Sequence, residues 1–203
     1  MGTPECTFQE TYDTHTYQKF MGDTPENPRA DFNRRLRNFD RAAEAGMRSA
    51  NPGILVGLNP DLAHEMLALL DHCHHLSALG MTTYVSLPRL RKANGAEHRA
   101  GIGDDEFCRL VAVLSFGLPE AKVVISTRET PAIQQRLLPV ISVLTPGSPG
   151  VAPYTMENAR FEAEASQFEV ADLRPFEEIL GDCIQAGASI SGYEPALLPG
   201  PLR

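Results

Sequence analysis

Cysteine is scarce in this chain: 4 occur in 203 residues, at Cys6, Cys73, Cys108 and Cys183, and no two stand in a Cys-x-x-Cys spacing. Disulfide frameworks belong to small, cysteine-dense secreted domains. These four therefore read as isolated thiols packed as small apolar side chains. Basic clusters are lacking too. With 18 Lys and Arg against 26 Asp and Glu, the net charge is −8, which argues against nucleic acid and anionic membrane surfaces as partners. No apolar run approaches the ~20 residues that span a bilayer. The start, Met1-Gly2-Thr3-Pro4-Glu5, has neither the basic end nor the apolar stretch of a signal peptide, so a cytoplasmic location is expected. Internal repeats and low-complexity tracts are absent.

What is present is an ordinary globular composition, 42% hydrophobic and 22% charged, enough for one sizeable core. Short apolar segments alternate with helical patterns. Strands are expected at 6–9, 53–58, 83–87, 122–127 and 140–144, with an extended stretch at 167–171. Helices are expected at 31–45, 62–79, 104–116, 131–138 and 175–186; several end in glycine, as at Gly46, Gly80 and Gly187. The helix at 104 opens on Asp104-Asp105-Glu106, which suits a helix N-terminus. Residues 13–29 read as an irregular loop with at most one helical turn, and 195–203 as a disordered tail. Alternating strands and helices predict an α/β fold of about five parallel strands joined by right-handed crossovers. A complete eight-stranded barrel takes ~250 residues. Five strands would leave two exposed sheet edges, which proteins normally cover, so a partial barrel that folds poorly alone is expected.

The strands end in polar or charged residues: Phe8-Gln9-Glu10-Thr11-Tyr12, Asn51-Pro52-Gly53-Ile54-Leu55-Val56-Gly57-Leu58, Ser86-Leu87-Pro88-Arg89-Leu90-Arg91, Ser126-Thr127-Arg128-Glu129 and Thr145-Pro146-Gly147-Ser148-Pro149. Strand C-termini are where an α/β barrel builds its site. Arg128 follows Val123-Val124-Ile125 and would point into the barrel mouth, where a charge needs an anion. A ligand carboxylate and a pair with Glu129 both meet that need. Arg89 also stands at a strand end, facing either a ligand or a structural ion pair. His72-Cys73-His74-His75 carries histidines three apart rather than four and lies on an outer helix. It reads as a polar helix face, and no metal site is expected. Gly101-x-Gly103 has no strand directly before it and is a weak phosphate signal.

The ordered strings, together with Phe20-Met21-Gly22, Ala30-Asp31-Phe32-Asn33-Arg34-Arg35, Ser166-Gln167-Phe168 and Val170-Ala171-Asp172-Leu173-Arg174, resemble the C-terminal part of the radical S-adenosylmethionine aromatic amino acid lyases over roughly residues 5–185. Pro146-Gly147-Ser148-Pro149-Gly150-Val151-Ala152-Pro153-Tyr154 looks more like the tryptophan lyase of thiopeptide antibiotic biosynthesis than the tyrosine lyases of thiamine synthesis and hydrogenase maturation. The resemblance implies strands four to eight of a TIM-like (β/α)8 barrel over 1–187, with a flexible tail over 188–203. It implies conversion of L-tryptophan to 3-methyl-2-indolic acid by the intact protein. A tyrosine lyase, or a non-catalytic half-barrel subunit that binds S-adenosylmethionine or an amino acid, is the alternative.

Family members carry a Cys-x3-Cys-x2-Cys loop whose thiolates hold a 4Fe–4S cluster. No such loop occurs here. The resemblance therefore places the cluster outside this chain, on an N-terminal barrel half in cis or in trans, with flavodoxin or ferredoxin as reductant. It assigns Glu10 and Arg35 to S-adenosylmethionine, and Arg128 and Thr145 to the amino acid; Arg89, from its strand-end position, is expected on the S-adenosylmethionine side, and Ser148 as a supporting donor to the amino acid. Thr145 departs from the family's serine; its extra methyl stiffens the rotamer and narrows the pocket.

Overall fold

The computed structural model describes residues 5–90, 101–147 and 170–191. In chain order it holds β1 (Glu5–Cys6), α1 (Thr14–Met21), α2 (Phe32–Leu36), α3 (Asn38–Glu44), β2 (Ser49–Asn51), α4 (Leu62–Ala78), β3 (Thr82–Ser86), α5 (Asp104–Gly117), β4 (Lys122–Ser126), α6 (Pro131–Leu137), β5 (Val143–Thr145) and α7 (Phe176–Gln185). The strands form one sheet in the order β1-β2-β3-β4-β5, and every adjacent pair is parallel. This is the expected α/β architecture of successive parallel units.

Three details differ from the sequence expectation. The second strand was expected over 53–58, but its ladder runs over Ser49–Asn51. Beyond it only single parallel bridges remain, Gly53–Ser86, Ile54–Glu10 and Val56–Arg89. Pro52 has no N–H to continue the ladder, and Gly57, at φ 96°, turns the chain away. The expected helix over 31–45 is two helices that meet at Arg37. The break lets Leu36 pack on the main core while Phe39 fills a second small cluster with Ala50, Leu76 and Met81. The expected loop over 13–29 contains two full turns of helix, α1. Asp13 caps it by accepting from Thr16 N–H at 2.7 Å. Tyr17 anchors it from a buried position, its hydroxyl donating to the Arg29 carbonyl at 2.7 Å. The extended stretch expected at 167–171 lies mostly outside the described residues, as do 195–203.

Side chains alternate across each strand, and here the two faces differ in chemistry. Val85, Leu87, Val123 and Ile125 pack outward against Met66, Leu69, Phe107, Val111, Leu114 and Ile133 of the helices. Each such side chain contributes roughly 1.5–3 kcal/mol by leaving water, so the sheet is held chiefly by its helical layer. The inner face reads Ser86, Val124 and Ser126, with Arg128 in the turn just past β4, and all but Ser86 are only half-buried. Register places Gly53, Ser86, Val124 and Val143 in one row. Ser126 and Thr145 form the next row toward the strand C-termini.

The histidines on α4 are not uniformly a polar outer face. His72 turns inward, its Nδ1 hydrogen-bonded with the Tyr12 hydroxyl at 2.7 Å, with Tyr12 and Phe39 rings packed on it. Burial, aided by nearby His75, pushes its pKa down to about 4. The neutral ring is the form that fits. Its stabilising contribution is fully present above the unfolded value near 6.5 and is lost as pH falls toward 4. Urea unfolding should therefore weaken between pH 6.5 and 4.5 by up to ~1.4 kcal/mol per pH unit more in the native chain than in His72→Phe, which removes the titration.

Candidate functional site

Glu10 follows β1 with φ 71°. Left-handed geometry in a non-glycine residue costs about 1–3 kcal/mol and persists only where the surroundings impose it. Those surroundings are visible. Glu65 of α4, 3% exposed, accepts from the Thr11 hydroxyl at 2.6 Å, the Tyr12 N–H at 2.8 Å and the Asn59 amide at 2.7 Å. It pins the turn just past Glu10, while Leu55 N–H donates to the Glu10 carbonyl at 2.9 Å. The Glu10 side chain is thereby presented at the strand end.

Arg35 meets Glu10 there. Its Nε donates to the Phe8 carbonyl at 2.7 Å, and a terminal nitrogen lies 3.6 Å from the Glu10 carboxylate. Arg34 and Arg37, its neighbours in sequence, are exposed. Burial raises the Glu10 pKa, and the charges of Arg35, Arg29 and Arg128 oppose the rise. Glu10, Arg35 and Arg128 thus belong to one electrostatic neighbourhood.

Arg128 and Thr145 line a cavity of about 200 Å³ together with Phe8, Asn51, Ser86 and Ser126. Gly53 makes room for one wall: a Cβ there would lie 2.6 Å from the Ser86 carbonyl oxygen and 2.9 Å from the Phe8 ring. The backbone beneath Arg128 is fixed from two sides. Thr127 N–H donates to the Thr145 carbonyl at 3.2 Å, and the Thr127 carbonyl accepts from Asp172 N–H at 3.0 Å. The Asp172 carboxylate in turn accepts from Gln134 and Arg174, both at 2.9 Å.

The expectation for Arg89 needs correction. Its side chain is 6% exposed and pairs with buried Glu129 through two nitrogens. It also donates to Asp104 at 2.8 Å and to the Ile102 carbonyl at 3.1 Å, and it lies over the Phe107 ring. A guanidinium so engaged is the structural ion pair, not a ligand contact: it ties the β3 and β4 ends to the start of α5. Glu129 is the buried carboxylate of that pair. Ser148 lies outside the described residues. Asn51 and Ser86 escaped the sequence reading as site residues, although alternation along β3 placed Ser86 on the same face as the strand-end polar groups.

Among the described residues no group of three His, Cys, Asp or Glu could hold a metal ion. The four cysteines are dispersed between exposed and buried positions. No described helix is long and apolar enough to cross a membrane.

Two outcomes follow from this geometry. Glu65→Ala strands three donors at ~1–3 kcal/mol each, so urea unfolding should register a loss of about 3 kcal/mol or more. Glu10→Gln should raise the melting temperature at pH 7: the raised pKa means that burial of the ionised carboxylate costs stability, a cost present at neutral pH and relieved as pH falls through the folded value.

No family profile matches the chain. It is 29% identical over 150 residues to the 2-iminoacetate synthase of Escherichia coli (strain K12), covering 70% of this chain and 39% of that protein. The 2-iminoacetate synthase of Salmonella typhimurium is 26% identical over 150 residues, with the same coverage. Among solved structures, the FeFe-hydrogenase maturase HydG from Carboxydothermus hydrogenoformans superposes with a TM-score of 0.76 at 29% identity, covering 92% of this chain and 42% of that one. A second HydG structure gives 0.72 at 31% identity, covering 89% and 39%. The chain therefore spans about two fifths of the length of these relatives, and the fold is that of part of their barrel.

Proposed function

We propose that the chain is the substrate-holding part of a radical S-adenosylmethionine barrel, and that the assembled protein is a carbon–carbon lyase acting on L-tyrosine. The observation that carries this is the shared mouth: Glu10 and Arg35 meet at one strand end, and Glu10 feels the charge of Arg128, which lines the adjoining cavity. The similarity to 2-iminoacetate synthases and to HydG, both of the tyrosine-cleaving kind, supports the choice of substrate. Tryptophan is a second reading, favoured by the segment from Pro146 to Tyr154.

The donor set fits S-adenosylmethionine: a half-buried carboxylate accepts from an ammonium or ribose hydroxyls, and Arg35 offers a planar fork to a carboxylate. The described residues do not fit an iron–sulfur cluster, so its ligands are assigned to an N-terminal barrel half, and flavodoxin or ferredoxin is the class of reductant. S-adenosylmethionine, bound with a cluster, would supply the radical chemistry. The chain's own residues bind and orient. Arg128 grips the amino acid carboxylate, the Thr145 hydroxyl assists it, and Phe8 with Val124 forms an apolar wall that excludes water.

The test compares the chain alone with the chain plus a cluster-bearing N-terminal half. Iron, S-adenosylmethionine consumption and products from tyrosine and tryptophan are measured. The expected result is about four irons and cofactor consumption only with both halves, with p-cresol formed from tyrosine. Arg128→Ala should raise the KM for the amino acid about tenfold or more. Production of 3-methyl-2-indolic acid instead would move the second reading forward. A cluster held by the chain alone, or no consumption with both halves, would reject the lyase and leave a binding or pairing role.

A further inference from the structure

Arg128 and Thr145 line the cavity together with the apolar Phe8, Pro88 and Val124 and the polar Asn51, Ser86 and Ser126. The Ser86 hydroxyl donates to Asn51 Oδ1 at 2.9 Å. Ser86 is only 7% exposed. Register sets it level with Val124 and one row below Ser126 and Thr145, or ~6–7 Å along the strand; Arg128 follows in the turn past β4.

We infer that Asn51 and Ser86 form the seat for a phenolic hydroxyl and so select the side chain of the amino acid, an inference that rests on the lyase reading above. The inventory decides it. With its proton given to Asn51, Ser86 Oγ still accepts, and the Asn51 amide nitrogen still donates. The pair therefore presents an acceptor beside a donor. A phenol O–H answers both, an indole N–H answers only the acceptor, and a phenyl ring answers neither. A buried site built for a hydroxyl rejects the analogue that lacks it, because its own polar groups are then stranded.

Calorimetric titration of the full 203-residue chain with L-tyrosine, L-phenylalanine and L-tryptophan tests this. Tyrosine should bind about tenfold or more tighter than phenylalanine. In Ser86→Ala the ratio should fall toward one, with phenylalanine affinity unchanged. Asn51→Ala should do the same, and it carries the test if Ser86→Ala does not fold. Equal binding of tyrosine and phenylalanine, a ratio that survives both substitutions, or tryptophan binding tightest would overturn the inference while leaving the lyase reading intact, provided Arg128→Ala still weakens binding. Failure of all three amino acids to bind would overturn both.

Discussion

Parallel pairing of neighbouring strands in strict sequence order leaves each crossover helix one side of the sheet on which to pack. Leu69, Phe107, Val111 and Leu114 cover the outer face completely, and every side chain one residue out of step must then point inward. Val123 and Ile125 are committed to the core, so Val124 and Ser126 are committed to the cavity. No residue in the cavity needs a specific interaction of its own to choose that face. The apolar helix layer chooses for it, and a one-residue slip of β4 would turn Val123 and Ile125 to the cavity and Val124 and Ser126 to the helices.

Two arginines at adjacent strand ends meet opposite fates for the same reason. Arg89 follows β3 by three residues and falls on the helix side, where only paired carboxylates make burial tolerable; Glu129 and Asp104 supply them. Arg128 follows β4 by two and falls on the cavity side.

Much of this was legible in the sequence. The helices from Leu62, Asp104, Pro131 and Phe176 begin within a residue of expectation because apolar periodicity and terminal residues agree. The parallel α/β order and the positions of Arg128 and Thr145 at strand ends were readable for the same reason, whereas Glu10 and Arg35, the latter on α2, were singled out by the resemblance. The failures have physical causes. An apolar run at 53–58 resembles a buried strand, yet Pro52 and Gly57 break its ladder. α1 was masked by polar composition, although Asp13 and Gly22 are the caps of a helix between them. Arg89 could not be placed from its own neighbourhood, since its partners lie 40 and 15 residues away. The Asn51–Ser86 pair spans 35 residues and carries no local signature at all.

The hydrogen bond from Asp172 to the Thr127 carbonyl bears on the order in which the molecule is made. Chains fold as they emerge, N-terminal parts first. β4 can pair with β3 as soon as residue 126 is available, but the backbone under Arg128 acquires its second tether only once residue 172 has been added. The α7 segment that supplies this tether is latched by Arg174 to Asp172 and Asp182. The fixed backbone beneath Arg128 is thus among the last features of this domain to mature, and a nascent chain that already has its sheet does not yet hold that turn in place.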